Sequence, residues 1–260
     1  MTVGMSLILI KLTAILYLIA TGSFIFYVVR RDTVSRLPPL ILGAGFIVHT
    51  LALSAYFMRE GFPALTEMRE ALLFKSWLMV ACYLLIQIKY RLTVLGGIIA
   101  PLAFLMSLAG IAFGSGSGEI PPDLKTFWLP LHVTSAFLGN AVFALAFGVS
   151  LIYLLQERRL KHKRMTALMK RFPPLESLDR LNYVLLGWGF PFMTLGIVTG
   201  SIWAGIYWGN YWSGEAEQVT TALTFKVSPQ ASQSRQQILI TGQLNLRLSL
   251  GCLCSPKKYI

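Results

Sequence analysis

Charge is scarce in this sequence. Of 260 residues, 13% are Asp, Glu, Lys or Arg, with 11 acidic residues against 23 basic ones. Soluble domains carry roughly 25% charged residues. With 55% hydrophobic residues and a mean hydropathy of +0.63, a water-soluble fold is excluded. Cysteine is equally sparse: Cys82 lies in an apolar run, and Cys252 and Cys254 lie near the C-terminus. No Cys-x-x-Cys-His occurs, so the chain has no covalent c-type haem site of its own. Histidine appears three times, as His49, His132 and His162. There is no phosphate-binding glycine loop, no nucleophile–base arrangement, no carboxylate pair within an apolar run and no internal repeat. The chain's own residues therefore specify no enzyme.

Long apolar runs are what the sequence does have. Six of them, at about 4–29, 40–58, 71–88, 92–113, 131–155 and 182–207, approach or exceed the ~20 residues needed to cross a bilayer. The expected fold is all-α, a polytopic transmembrane helical bundle of about six spans within residues 1–213. The first run is read as a retained span and not a removed signal peptide. Lys11 interrupts it, and snorkels to the surface or faces the bundle. Pro101 is expected as a tolerated kink.

The net charge of +12 does not point to nucleic acid, because the basic residues sit in short clusters between the runs. Arg30, Arg31 and Arg36 follow the first run, Lys89 and Arg91 the third, and a dense group from Arg158 to Arg171 the fifth. The loops after the second and fourth runs hold few. This alternation predicts an N-terminus outside and basic loops in the cytoplasm, where the group around His162 touches anionic lipid. Residues 214–260 turn rich in Gln, Ser and Thr, with no run long enough to span. They are expected to form a disordered, atypical tail.

The densest chemical feature is the stretch Trp203-Ala-Gly-Ile-Tyr-Trp208-Gly-Asn-Tyr211-Trp212, three Trp and two Tyr within ten residues. If helical throughout, Trp203, Tyr207 and Tyr211 form one stripe and Trp208 and Trp212 a second beside it. Such a plate is either an interfacial aromatic belt or a bed for a flat apolar ligand, with Gly205 and Gly209 permitting close approach. Gly196 and Gly200, a turn deeper, read as a helix-packing motif with no chemistry. Trp128 and His132 share the predicted outer layer. Taken alone, His132 at a helix start reads as a solvated neighbour of the cap. His49, about nine residues inside the second run, has two open readings: a neutral imidazole bonded to a carbonyl or hydroxyl, or an axial ligand to iron.

Trp208-Gly-Asn-Tyr-Trp212-Ser resembles the first part of the Trp-rich signature, Trp-Gly-x-x-Trp-x-Trp-Asp, of haem-handling cytochrome c assembly proteins. Gly200-Ser-Ile-Trp203-Ala resembles its lead-in. Leu131-His132-Val133 and Phe137-Leu-Gly-Asn-Ala141 resemble the segment with the family's first outer haem-ligand His. His49 in Phe46-Ile-Val-His-Thr-Leu matches an intramembrane His of the CcsA/ResC-like, system II branch. The resemblance covers about residues 1–213.

The resemblance implies a protein that carries haem b across the membrane and presents it outside, where apocytochrome c thiols add to its vinyl groups. The implied partners are a ResB/CcsB-like membrane protein, apocytochrome c and thiol-reducing proteins, in a bacterial cytoplasmic membrane or a plastid thylakoid. Any haem-lyase activity belongs to a complex. On this reading His132 and His49 are iron ligands, and Trp203, Trp208, Trp212, Tyr211 and Trp128 pack on the macrocycle. The signature's Trp-Asp is replaced by Gly214-Glu215, and the second His of each pair does not follow, so a frameshift or truncation after Ser213 is expected. A membrane haem-b electron-transfer subunit, a secondary transporter of a small solute and a structural bundle whose Trp residues are only anchors are the competing readings.

Overall fold

In a computed structural model the described residues are 3–29, 36–60, 68–113, 128–161 and 173–208. They form six α-helices: α1 (Val3–Val29), α2 (Leu37–Glu60), α3 (Met68–Tyr90), α4 (Thr93–Ala112), α5 (Trp128–Lys161) and α6 (Leu175–Trp208). No strand occurs among the described residues. All six are long and apolar enough to cross a membrane, so the all-α bundle expected from hydropathy is what forms. Residues 214–260 lie outside the described residues.

The apolar runs underestimated the last two helices. α5 and α6 each contain 34 residues, about 51 Å at 1.5 Å per residue, against a hydrocarbon thickness of about 30 Å. Hydropathy marks the part in lipid, whereas the helix continues wherever the backbone is favourable. α5 runs on through strong helix formers and ends with Arg158, Arg159 and Lys161, cations suited to the negative end of the helix dipole. α6 begins directly after Pro173-Pro174. The Pro174 carbonyl accepts the amides of Ser177 (2.9 Å) and Leu178 (3.2 Å), and Glu176 occupies the first turn.

The chain divides into two compact units. The first comprises residues 1–121 and 152–178, the second residues 122–151 and 179–260. In the first unit α1 packs on α2 and α4, and α3 on α4 and α2. α3 and α4 are joined through Arg91 and Leu92 alone. Arg91 takes φ +51°, the left-handed conformation that commonly ends a helix. Gly96 permits the tightest contact, since a Cβ there would overlap the Phe24 ring and lie 2.6 Å from Tyr83 Oη. Phe24 and Tyr83 meet edge to face, with ring centroids 6.1 Å apart. Lys11 is exposed on α1 among exposed Ile8, Leu12 and Ile15, and so does not face the helices packed on α1.

In the second unit α5 and α6 run antiparallel in one register. His132 lies over Gly200, Ala136 over Gly196, Gly139 over Met193 and Phe143 over Gly189. Along α5 the contacts advance by four, three and four residues while along α6 they retreat by the same steps, the spacing of a single helix face. One member of every pair is glycine. A Cβ on Gly139 would sit 3.0 Å from the Met193 nitrogen, and one on Gly196 3.0 Å from the Ala136 Cα. Small residues let the backbones approach this closely, which is how helices gain packing in a solvent as apolar as themselves. Serine and threonine hydroxyls along both helices donate back to carbonyls four residues earlier, as Ser135 to Leu131 and Thr199 to Leu195, so they need no water.

Candidate functional site

His132 stands in the second turn of α5, after Pro130 in the first, where a missing amide costs no helical bond. It is half-buried, and its Nδ1 lies 2.7 Å from the Gly196 carbonyl oxygen. A carbonyl can only accept, so Nδ1 carries the proton and donates it. In the neutral ring that leaves a lone pair on Nε2. His132 is thus anchored across the helix pair and is not merely a neighbour of the cap. Gly196 and Gly200 pack the helix pair closely, as their spacing predicts, and both also position the imidazole. Gly196 supplies the acceptor, and a Cβ on Gly200 would stand 2.6 Å from His132 Nδ1 and Cε1. The imidazole occupies the space that a side chain at Gly200 would need.

The aromatic candidates are distributed around this point. Trp203 follows Gly200 by three residues, on the same face of α6 as Gly196 and Gly200, and is half-buried. Trp128 is one turn before His132 on α5, on the same face, and is also half-buried. α6 remains helical through Trp208, the end of the described part of the aromatic stretch. Tyr211 and Trp212 lie outside the described residues, as does His162.

His49 belongs to the first unit. Its ring is fully buried, with Nδ1 3.1 Å from Tyr17 Oη on α1. The two rings meet edge to face, with centroids 5.7 Å apart. Gly45, one turn before His49, makes room for this contact: a Cβ there would come within 2.9 Å of the Tyr17 ring. Of the two readings open from the sequence, the hydroxyl bond is present. It satisfies one nitrogen only. Among the described residues His49 Nε2 is buried with no hydrogen-bond partner.

Beside His49 on α2, the Thr50 hydroxyl donates to the Phe46 carbonyl at 2.8 Å and accepts Trp77 Nε1 at 2.8 Å. The Trp77 indole is stacked between Phe46 (5.5 Å) and Phe74 (5.9 Å), nearly parallel to both. Ser76, one residue earlier, donates to the Ala103 carbonyl and meets Ser107 Oγ at 3.1 Å. Sequence reasoning missed Tyr17, Trp77 and the buried ionisable residues Glu70 and Lys75 of α3. Tyr17 carried no signal, being one tyrosine in an apolar run. Glu70 and Lys75 were legible as charges at the head of a span, but nothing in their spacing told which would be enclosed.

A model of the cytochrome c assembly protein family matches residues 65–228, a stretch that contains His132, Trp128 and the whole aromatic stretch. The chain is 31% identical over 203 residues to "Cytochrome c biogenesis protein CcsA" of Chlamydomonas reinhardtii, covering 74% of this chain and 55% of that protein. It is 27% identical over 200 residues to the protein of the same name from Guillardia theta, covering 70% and 66%. Against that from Porphyra purpurea it is 26% identical over 237 residues, covering 76% and 74%. The chain thus spans little more than half the length of the Chlamydomonas relative.

Proposed function

The chain belongs to the cytochrome c assembly protein family, and from that membership we propose that it binds haem b within the membrane and presents it at the outer face for attachment to apocytochrome c. One observation carries the proposal. The bond from His132 Nδ1 to the Gly196 carbonyl at 2.7 Å leaves Nε2 as the free donor. Metal-ligating histidines are held in the same way, their second ring nitrogen donating to a carbonyl or carboxylate that sets tautomer and orientation. Trp203, Trp208, Trp128, Tyr211 and Trp212 would supply the apolar, planar surfaces that a porphyrin needs.

His49 fits iron by its donor atom, a buried nitrogen with no partner. Its ring is fully enclosed, so a macrocycle reaches it only when the helices around it part locally. The basic end of α5, Arg158 to Lys161, is assigned to the cytoplasmic side by the positive-inside rule. The start of α5, with His132, then lies outside, as does the end of α6. Proposed partners are a ResB/CcsB-like membrane protein, apocytochrome c and thiol-reducing proteins, and any haem-lyase activity is theirs jointly. The membrane is a bacterial cytoplasmic or a thylakoid one.

The absorption spectrum of the purified protein tests this. A Soret band that weakens in His132→Ala and returns with added imidazole is the expected result. A colourless protein whose deletion alters solute uptake would place it among transporters and overturn the proposal.

A further inference from the structure

We propose that Tyr17 decides whether His49 can accept an iron porphyrin, by holding the metal-free imidazole in the tautomer that cannot bind one. This rests on the haem assignment of His49 above. Tyr17 Oη and His49 Nδ1 are 3.1 Å apart and the bond admits either direction. His49 Nε2 is buried and has no partner among the described residues, and the Tyr17 hydroxyl makes no other hydrogen bond among them.

If the phenol donates to Nδ1, the ring proton sits on Nε2, and that N–H and the phenol oxygen's acceptor capacity are left unmatched. If Nδ1–H donates to the phenol oxygen, the Nε2 lone pair and the phenol proton are unmatched. The two tallies are equal, so the strength of the bond itself decides: a phenol O–H is a better donor than an imidazole N–H, and an imidazole nitrogen a better acceptor than a phenol oxygen, which favours the phenol as donor. Metal-free His49 therefore carries its proton on Nε2, the nitrogen that would otherwise meet iron, and is closed to ligation. Iron at Nε2 would need the lone pair that this proton occupies. The ring proton would then have to be on Nδ1, with the phenol oxygen as its acceptor, the outer hydrogen bond typical of ligating histidines.

The arrangement is built into the helix pair. Gly45 is the residue that admits the Tyr17 ring against α2, one turn from His49, with 2.9 Å between its virtual Cβ and ring carbons Cδ1 and Cε1. His132 differs in kind. Its partner is a carbonyl, which never donates, so its tautomer is fixed in the ligating form. The chain thus pairs one imidazole always open to iron with another open only after its hydroxyl partner turns.

Solid-state nuclear magnetic resonance of haem-free protein, labelled with 15N-histidine and reconstituted in bilayers, tests this directly. The sequence has three histidines, and His49→Gln identifies the signal of His49. Protonated Nε2 and bare Nδ1 are expected in the wild type, with a second, Nδ1-protonated population appearing in Tyr17→Phe. Gly45→Ala, which pushes the Tyr17 ring away without touching either polar group, should give the same mixture. In a His132→Ala background, haemin should load onto and leave Tyr17→Phe faster than the parent. A wild-type His49 protonated on Nδ1, or a tautomer unmoved by both substitutions, overturns the role of Tyr17. The expected tautomers with no His49-dependent haem band overturn the haem assignment of His49, and with it this role.

Discussion

The His132 imidazole lies where a side chain at Gly200 would be: a Cβ at that position would be 2.6 Å from the ring's Nδ1 and Cε1. The glycine is therefore a condition for the bond to the Gly196 carbonyl and not merely a concession to helix packing. Gly200→Ala should cost about 1–3 kcal/mol through overpacking and should also dislodge the imidazole. We expect a lower unfolding temperature together with a His132-dependent Soret band reduced to the level of His132→Ala. Gly187→Ala, at a position with nothing within 4 Å, should leave the Soret band unchanged and the unfolding temperature equal or slightly higher.

Neighbouring glycines on α4 predict opposite outcomes. A Cβ on Gly96 would overlap Phe24 and crowd Tyr83, whereas on Gly97 it would meet only Val28, at 3.9 Å. Gly96→Ala should destabilise the first unit by about 1–3 kcal/mol or more. Gly97→Ala should be neutral or slightly stabilising, because alanine is the better helix former by about 1 kcal/mol. Thermal unfolding in detergent, followed by helical circular dichroism, separates the two.

Trp77 is held by two ring stacks and by its bond to Thr50. Trp77→Phe preserves the stacking and deletes the bond, while Thr50→Val deletes the acceptor. A double-mutant cycle should return a coupling near the ~0.6 kcal/mol typical of polar contacts between membrane helices, with ~1.7 kcal/mol as the upper end. Trp77→Ala removes the stacks as well and should cost about 3–5 kcal/mol.

Orientation can be read by accessibility. A single cysteine at Lys161, in a cysteine-free background, should react with a membrane-impermeant maleimide only when the cytoplasmic side is open. One at Leu129, at the start of α5, should react only from outside once unfolding frees it from its buried position. Labelling of Lys161→Cys in intact cells would reverse the assigned topology and remove His132 from the outer face.

Six membrane-length helices, and their borders to within a few residues at most ends, were determined by hydropathy alone, because a bilayer demands long apolar segments whose backbone bonds close within themselves. The same patterning marked His49 as an enclosed imidazole. It did not reveal the extra turns of α5 and α6, since a helix ends where its backbone stops being favourable and not where lipid ends. Nor did it reveal what each histidine touches. His132 depends on a carbonyl 64 residues away in the chain and His49 on a hydroxyl 32 away, and an unpatterned tyrosine or a glycine carbonyl leaves no trace in local periodicity. Only the antiparallel register of α5 on α6, and the seat Gly45 offers Tyr17, decided which nitrogen of each ring is free, because a tautomer is chosen by the partner across the helix interface.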